Sequence, residues 1–544
     1  MPLEHTTQRW LAAVSLAALA SCSARSDSTV LGGVVVDVAG RPVAGARVRL
    51  QATSFTTLTS ETGAFSLRAG PAPSARVIAA WKDGYFNGGE KLVLGRSEYR
   101  IVLRAIPAGD EPGYAWASPR ARAGDDSRRA SAGKQPICEK CHPAIVSEWE
   151  ASAHSRSATN PLFLAMYEGK DATGEATGGP GYRIDFPHSA GNCAACHVPG
   201  LAVNAPFGTD ATSARAAAAG VSCDVCHKVR EAEIDDAGGR PGVLSLRFAR
   251  PAPGKDAFFA QLDDVTAGDD SFNPLFRESR YCAPCHHGTF WRVRAYSEFA
   301  EWAASSYARR NVQCQDCHMK LEGGARRFAL EKEGGVLRDP ATISSHAQYG
   351  LDDARFMREA VRVETRADLA RGRVGVRVSV TNSGAGHHVP TGSPMRNMIL
   401  LVAARDSRGN GLRLVKGGRV PSWGGEGSPA DGNYAGLPGK GFAKILGDLV
   451  EYPADPRQGR RFSRHDPAPY WRPTAVLSDT RIPAEATDES RYEFELPALH
   501  DPAAAPVTVE TRLVYRRTFR SWGALDRIKP GELELAHVTT EVGR

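Results

Sequence analysis

The sequence predicts three domains in one chain of 544 residues: a small N-terminal β-sandwich, a central domain of short helices and irregular segments, and a C-terminal β-sandwich-like domain. Three observations support this division. Short apolar runs separated by turn residues fill 30–105, the pentapeptide C-x-x-C-H recurs five times within 136–355, and alternating runs return in 356–544. The length agrees with about three domains when it is taken as a prior.

The central domain is defined by the five C-x-x-C-H pentapeptides, numbered motifs 1 to 5 in chain order. This pentapeptide is the attachment motif for c-type haem. Two thiols separated by two residues can form thioethers with the two vinyl groups of one porphyrin, and the adjacent imidazole then lies under the iron as its proximal ligand. The sequence therefore predicts five covalently bound haem c groups in a haem-packed, mainly helical or irregular pentahaem domain. The attachment cysteines are Cys138, Cys141, Cys193, Cys196, Cys223, Cys226, Cys282, Cys285, Cys314 and Cys317, and the proximal ligands are His142, His197, His227, His286 and His318.

The cysteine usage favours haem over other cysteine chemistry. Ten of the eleven cysteines fall in these motifs, whereas composition alone would give roughly 0.006 such pentapeptides in a chain of this kind. A structural zinc site would need paired C-x-x-C units but no histidine at a fixed offset. A disulfide framework gives no reason for a histidine to follow every second cysteine.

Thioether attachment takes place outside the cytoplasm, so an export signal is expected. Arg9 precedes a short apolar run that is too short for a retained membrane span. The run ends in L-A-S-C at 19–22, which resembles the lipobox of bacterial lipoproteins, so Cys22 is the predicted lipidation site. We expect a signal peptide over 1–21 and a lipidated tether over 22–29, with lipid as the only membrane anchor. A plain signal peptide with an incidental cysteine is the alternative.

The net charge does not indicate a nucleic-acid partner. The polypeptide carries +7 at pH 7, and about ten propionates from five haems would bring the holoprotein to about −3. The sequence contains no Lys/Arg run interleaved with aromatic residues. The predicted partners are instead redox proteins or periplasmic or extracellular electron acceptors, together with the membrane that holds the lipid anchor. Self-assembly stays an open alternative.

The first domain is predicted over 30–105. Its short strands and frequent turns imply a small antiparallel sandwich. The string G-x-V-x-D-x-x-G-x-P-V-x-G-A-x-V at 33–48 resembles the carboxypeptidase-regulatory-like domain, and that resemblance implies a spacer or an interaction surface. An exposed linker is predicted over 106–135, because this stretch is rich in Ala, Gly, Ser, Arg and Pro and poor in aliphatic residues. The strands are expected at 30–38, 48–50, 63–67, 76–80 and 99–103.

The five motifs are unevenly spaced, with 55, 30, 59 and 32 residues between successive first cysteines. The alternation of long and short separations suggests that motifs 2 and 3, and motifs 4 and 5, form pairs. V-S-C at 221–223 and V-Q-C at 312–314 introduce the second motif of each pair alike. So few residues per haem cannot build an independent polypeptide core, and the porphyrins are therefore expected to form most of the core.

A second repeat, E-W-x-x-S, occurs at 148–152 and at 301–305. His154 follows the first copy at the position where a tyrosine follows the second. The first copy, with C-x-x-C-H a few residues upstream, resembles the cytochrome c554-like multihaem family, and 281–319 resembles related multihaem cytochromes. This resemblance implies that His154 is a distal haem ligand, and that His346, in S-H-A-Q-Y-G, is another.

The C-terminal domain is predicted over 356–544. R-V-G-V-R-V-S-V at 373–380 alternates as a half-buried strand does. G-H-x-x-P-T-G at 386–392 recurs in C-terminal β-domains of multihaem cytochromes, which this region resembles, and the resemblance implies a sandwich packed on the haem domain. Further strands are expected at 398–404, 491–496, 507–510 and 512–517.

The function depends on the sixth ligand of each iron. Two imidazoles saturate the iron and leave electron transfer, whereas one imidazole leaves a position for a substrate. His287 directly follows the proximal His286, so it cannot bind the same iron but could reach a neighbouring one. The candidate distal ligands are His154, His188, His287, His346 and His387.

The sequence therefore predicts an electron-transfer pentahaem c-type cytochrome that relays electrons through closely packed, mostly bis-histidine haems and has no catalytic residue. It is expected in the periplasm or at the cell surface, held in the outer membrane as a lipoprotein. The main alternative is an oxidoreductase that reduces a nitrogen or sulfur oxyanion at one five-coordinate haem. A scaffold or adhesion role led by the two β domains is a third.

Overall fold

The computed structural model of the chain describes residues 29–72, 74–93, 95–120, 137–213, 220–234, 240–449, 466–496, 506–528 and 531–542. The predicted signal peptide, the lipidation site Cys22, the tether up to residue 28 and the second part of the predicted linker lie outside the described residues. Within them, β-rich N-terminal and C-terminal regions flank a central region of short helices and irregular segments, as the sequence predicts.

Seven strands build the N-terminal domain: β1 (Thr29–Asp37), β2 (Arg47–Leu50), β3 (Thr56–Leu58), β4 (Ala64–Ala69), β5 (Val77–Trp81), β6 (Gly88–Lys91) and β7 (Glu98–Leu103). They form two sheets, in the orders β4-β1-β7 and β3-β2-β5-β6, which share one apolar core. The five predicted strands are confirmed, but β1 runs parallel to β7, in a domain that the sequence predicts to be antiparallel. The sequence missed β3 and β6, because T-T-L and G-G-E-K carry no alternating apolar pattern.

Buried charges fix the N-terminal domain on the central region. The guanidinium of Arg338 donates two hydrogen bonds of 2.9 Å to Asp264, and these side chains are only 3% and 2% exposed. Asp264 also accepts the backbone N–H of Ala52 at 2.7 Å, while the neighbouring Asp263 accepts from Arg49 at 2.6 Å. The domain is therefore docked by directional contacts rather than held only by a tether.

The described part of the predicted linker is largely exposed, as expected, but two of its residues are buried. Tyr114 and Ala117 are 8% and 3% exposed. The Tyr114 hydroxyl and the Ala117 backbone N–H both donate to Asp224, at 2.8 and 2.7 Å, and Asp224 forms a fully buried ion pair of 2.5 Å with Lys228. The prediction relied on the average composition of 106–135 and therefore missed Y-A-W at 114–116, whose aromatic rings supply apolar surface that favours burial.

The central region contains eleven described helices, the longest of nine residues: α1 (Pro143–Ala151), α2 (Pro161–Glu168), α3 (Tyr182–Asp185), α4 (Ala194–His197), α5 (Pro199–Ala202), α6 (Cys223–His227), α7 (Ala283–His286), α8 (Glu298–Ala303), α9 (Ser306–Arg309), α10 (Cys314–His318) and α11 (Ala354–Glu359). Three small ribbons lie between them: β8 (Val229–Ala232) with β9 (Leu246–Phe248), β10 (Phe258–Ala260) with β11 (Asp270–Phe272), and β12 (Gly288–Phe290) with β13 (Val293–Tyr296). In the part of the chain that the structure describes, no helix combines the length and apolar character needed to cross a bilayer.

Nine strands build the C-terminal domain: β14 (Val361–Ala370), β15 (Arg373–Asn382), β16 (Asn397–Arg405), β17 (Leu414–Lys416), β18 (Gly439–Asp448), β19 (Thr474–Asp479), β20 (Thr487–Glu495), β21 (Val507–Arg516) and β22 (Glu532–Val542). The two sheets, β14-β15-β20-β17 and β19-β18-β16-β21-β22, pack around one core. The strands predicted at 507–510 and 512–517 are one continuous strand, because Thr511 is buried and hydrogen-bonds Thr365 of the opposite sheet at 3.0 Å.

Replacing Asp264 with Ala should lower the unfolding free energy of the holoprotein by about 3–5 kcal/mol, because the Arg338 guanidinium would stay buried without its anion. Urea unfolding measures this loss. Glu233→Ala breaks the exposed pair with Arg247, whose side chains are 54% and 65% exposed, and should change stability by less than about 1 kcal/mol. Equal effects of the two substitutions would contradict the role given to the buried pair.

Candidate haem-binding sites

Each C-x-x-C-H motif forms about one helical turn. Motif 1 begins with a 3₁₀ turn (Cys138–Lys140), and motifs 2 to 5 contain α4, α6, α7 and α10. One turn brings the second cysteine and the histidine to the same side as the first cysteine. All ten described cysteines are free of disulfides and are partly buried. No group of three or more His, Cys, Asp or Glu side chains that could hold a metal ion is found among the described residues.

The proximal imidazoles are oriented by hydrogen bonds at Nδ1. A backbone carbonyl accepts from Nδ1 in four of them, so that Nε2 is left to bind a metal. In motif 4 the arrangement differs: His286 Nδ1 faces the Glu298 carboxylate at 3.7 Å. The four carbonyl contacts are His142 to Phe328 (3.0 Å), His197 to Ser157 (2.9 Å), His227 to Phe259 (2.7 Å) and His318 to Tyr349 (2.7 Å).

Three proximal imidazoles each face a second imidazole. With a metal–nitrogen bond of about 2.0 Å and a further ~1.1 Å from nitrogen to ring centre, two imidazoles on one metal have ring centres roughly 6.2 Å apart. The described ring centres lie at 6.2–6.3 Å, so each pair fits a haem iron between the rings. The pairs are His286 with His154, His227 with His346, and His318 with His387.

The three pairs differ in the angle between their rings. The rings are close to parallel for His227 and His346 (23°) and for His318 and His387 (19°). For His286 and His154 they are nearly perpendicular, at 87°. A spectroscopic probe of axial imidazole orientation can therefore separate the motif 4 site from the sites at motifs 3 and 5.

Burial favours the neutral form of three paired imidazoles, His154, His318 and His346, and the neutral form is the one that binds a metal. Burial, together with the nearby His286, lowers the pKa of His154 to about 4. Burial likewise lowers the pKa of His318 to about 4 and that of His346 to about 3. For His286, burial lowers the pKa but the Glu298 carboxylate outweighs it, so the net shift is upward.

The other two candidate distal ligands occupy different surroundings. His188 lies in an exposed turn after α3. His287 is 3% exposed, and its ring lies edge-on to Phe299 at 5.9 Å. In the described part of the chain, the ring contacts of the proximal His142 and His197 are with Phe328 at 5.8 Å and Phe163 at 3.7 Å.

The glutamate of each E-W-x-x-S repeat holds a loop that carries a paired histidine. Glu148 accepts the backbone N–H of His346 at 2.8 Å. Glu301 accepts the backbone N–H of His388 at 3.1 Å, next to His387, and the hydroxyl of Thr391 at 3.0 Å. The sequence repeat was recognised, but this role of its glutamates was missed, because the loops they hold are far away in the chain.

The tryptophan and serine of the repeat act alike in both copies. The indole N–H of Trp149 donates to the Val221 carbonyl at 2.9 Å, and that of Trp302 donates to the Val312 carbonyl at 2.7 Å. Each carbonyl lies two residues before the first cysteine of motif 3 or motif 5. The serine hydroxyls return to the tryptophan carbonyls at 2.6 and 2.7 Å. Each copy therefore positions both the attachment motif and the opposite histidine of one site.

Contacts between thiols show which motifs are neighbours. The side chains of Cys138 and Cys223 contact each other, which joins motifs 1 and 3. The side chains of Cys282 and Cys314 contact each other, which joins motifs 4 and 5. The neighbour relation predicted for motifs 4 and 5 is present.

Motif 2 has two neighbours, of which the spacing suggests one. Motifs 2 and 3 meet through a small apolar core that contains Ala194, Ala195 and Val225. The side chains of Cys196 and Cys285 contact each other, which also joins motif 2 to motif 4. The short separation in the chain agrees with the contact between motifs 2 and 3, which is made by residues between the cysteines.

The comparisons with known proteins fall on the same region. Residues 137–228 match the family model "Cytochrome c554 and c-prime". The chain is similar in fold to a penta-heme cytochrome c552 from Thermochromatium tepidum, with 20% identity, a TM-score of 0.50, and coverage of 74% of this chain and 97% of that one. A cohesin–X-dockerin complex from Acetivibrio cellulolyticus matches 14% of this chain and 58% of its own at 16% identity, with a TM-score of 0.13. No curated protein matches the chain.

The attachment motifs, the imidazoles whose Nδ1 atoms are hydrogen-bonded, the family match and the structural similarity together support a multihaem c-type cytochrome. Segment 137–228 is similar to the cytochrome c554 family, and this segment is preceded by a β-rich domain.

Replacing Glu301 with Gln should remove stability that depends on pH. Burial raises the pKa of Glu301, but Arg481 and His388 outweigh it and hold the pKa at about 2, below its ordinary value of 4.5. A lowered carboxyl pKa stabilises the fold above the ordinary value, and this stability is lost as pH falls from about 4.5 to about 2. The variant should lose about 3 kcal/mol at pH 7, measured by urea unfolding across pH.

The matched control is Glu489→Gln, on the exposed face of β20. It removes the same charge from solvent and should keep the wild-type profile. A profile of the Glu301 variant that still falls between pH 4.5 and 2 as steeply as the wild type would disprove the assignment.

Proposed function

We propose that the chain is an electron-transfer pentahaem c-type cytochrome of the bacterial envelope. The observation that carries the proposal is the set of three opposed imidazole pairs with ring centres at 6.2–6.3 Å. Two imidazoles on one iron leave no open position, which favours electron transfer over substrate chemistry. When bound, the haems supply the iron that accepts and releases one electron at a time.

The polypeptide contributes attachment, axial ligation and burial. Ten cysteines in five motifs would attach five haems, and five histidines would be their proximal ligands. We assign His154 as the distal ligand at motif 4, His346 at motif 3 and His387 at motif 5. His188 and His287 stay the predicted distal ligands for the remaining two sites. The thiol contacts between motifs support haems that are close enough to exchange electrons.

A second candidate function is an oxidoreductase at motif 1 or motif 2. It is favoured by the ring contacts of His142 and His197, which in the described residues are with phenylalanines rather than with a second imidazole. A five-coordinate iron at one of these motifs would accept a nitrogen or sulfur oxyanion. A high-spin ferric signal from the wild-type protein that shifts on adding nitrite or sulfite would favour this candidate.

The proposed location follows from the same chemistry. Covalent haem attachment places the chain outside the cytoplasm, where its partners are redox proteins or external electron acceptors. The L-A-S-C sequence supports a lipid anchor in the outer membrane, because a diacylated cysteine provides membrane affinity without a spanning helix.

Mass spectrometry and spin state test the relay. The mature wild-type protein should carry five attached haems, and His346→Ala should convert one of them from low to high spin, because one axial nitrogen is lost. His537→Ala, on the surface strand β22, should leave the spectrum unchanged. Fewer than five attached haems, or an unchanged spectrum in the His346 variant, would overturn the assignment.

Replacing Cys22 with Ser should release the protein from the membrane fraction into the soluble fraction, since the serine cannot receive the lipid. Fractionation and mass analysis of the N-terminus measure the change. Retention of the variant in membranes at the wild-type level would refute the anchor.

A further inference from the structure

Motif 4 differs from the other motifs in what holds its proximal imidazole. The other four imidazoles donate from Nδ1 to neutral backbone carbonyls, whereas His286 faces the Glu298 carboxylate at 3.7 Å. Glu298 begins α8, and its side chain is 16% exposed. The second carboxylate oxygen of Glu298, Oε2, is buried and has no hydrogen-bond partner among the described residues.

The E-W-x-x-S repeat provides an internal reference for Glu298. Glu298 lies three residues before Glu301 of the second copy, and Ile145 lies three residues before Glu148 of the first copy. Motif 1, upstream of the first copy, therefore has no carboxylate at the corresponding place. There the Phe328 carbonyl accepts from His142 instead. The carboxylate is an addition specific to motif 4.

Motif 4 also has a special position among the attachment sites. Its first cysteine, Cys282, contacts motif 5, and its second, Cys285, contacts motif 2. In the described part of the chain, motif 4 thus contacts both motif 2 and motif 5 and forms a junction between them. An electron that moves between these two sites would pass the haem at motif 4.

We propose that Glu298 is a positioning residue that lowers the reduction potential of the haem at motif 4. A negative charge 3.7 Å from Nδ1 stabilises the ferric state, because ferric iron carries one more positive charge than ferrous iron. The nearby Arg396 offsets part of this negative charge, and its guanidinium also donates to the Thr391 carbonyl at 3.0 Å. The proposal rests on the proposed relay function.

A low reduction potential at motif 4 affects where electrons reside. A junction haem of low potential is reduced last and passes its electron to the neighbouring sites rather than storing it. Glu298 would therefore favour transfer of electrons from motif 4 to motifs 2 and 5.

An EPR-monitored redox titration of the holoprotein tests this proposal. The perpendicular imidazoles of His154 and His286 should give a low-spin ferric signal with a large maximal g value, distinct from the rhombic signals of near-parallel pairs. In Glu298→Gln this signal should titrate at a higher potential, with the ratio of reduced to oxidised haem at fixed potential raised on the order of ten-fold, which is about 59 mV for one electron. Glu298→Asp should restore part of the wild-type value.

The matched control is Glu322→Gln, which removes the same charge from a side chain outside the motifs that is 55% exposed. It should shift no signal by more than about two-fold in the same ratio, because exposed charges are screened by water. A large-g signal that is present but unmoved in Glu298→Gln, or moved equally in Glu322→Gln, overturns the role of Glu298 alone. Absence of the large-g signal from the wild-type protein overturns the axial pairing on which the relay itself rests.

Discussion

An imidazole that binds iron through Nε2 carries its hydrogen on Nδ1, and an acceptor for this hydrogen fixes the orientation of the ring. Backbone carbonyls provide this acceptor for four of the five proximal histidines. The acceptors come from distant parts of the chain: Phe328 for His142, Phe259 for His227 and Tyr349 for His318. Each hydrogen bond joins a short helical turn to a loop 31 to 186 residues away. These bonds explain how helices of at most nine residues, too short to be stable alone, can keep a fixed arrangement.

The E-W-x-x-S repeat shows that the central region is built from two similar units with one motif inserted. The first unit consists of motifs 1 and 3, whose thiols meet at Cys138 and Cys223, and the second consists of motifs 4 and 5, whose thiols meet at Cys282 and Cys314. In both units the repeat glutamate holds the loop opposite the second motif, and the repeat tryptophan holds the chain just before it. The similar ring angles at the two second motifs, 23° and 19°, are the result. Motif 2 lies between motifs 1 and 3 in sequence and meets the second unit through Cys196.

The sequence allowed the attachment chemistry and most β strands to be predicted, because both depend on local patterns. C-x-x-C-H is complete within five residues, and R-V-G-V-R-V-S-V shows its own alternation. Spacing indicated that motifs 2 and 3 are neighbours, and they share an apolar core. It could not indicate the contact of motif 2 with motif 4, because these motifs are far apart in the chain. The burial of Tyr114 was missed for a similar reason: its partner, Asp224, is 110 residues away. Glu148 and Glu301 stood in a recognised repeat, yet their function depends on loops that only the fold brings to them.

The two copies of the repeat differ at the position two residues after the serine. This difference distinguishes the unit that is followed by another unit from the last unit. In the first copy this position is His154, whose ring faces His286 of the second unit, so it joins one unit to the next. In the second copy it is Tyr307, and no further unit follows within the central region. The Tyr307 ring packs instead against Gly386, where an added Cβ would lie 3.1 Å from the ring. Gly386 begins the G-H-x-x-P-T-G loop that carries His387, and the absence of a side chain there lets the ring approach the backbone closely. His154 of the first copy therefore contacts the next unit, whereas Tyr307 of the second copy contacts the C-terminal β domain. The β domain thus supplies the histidine opposite motif 5, as a further unit would otherwise do.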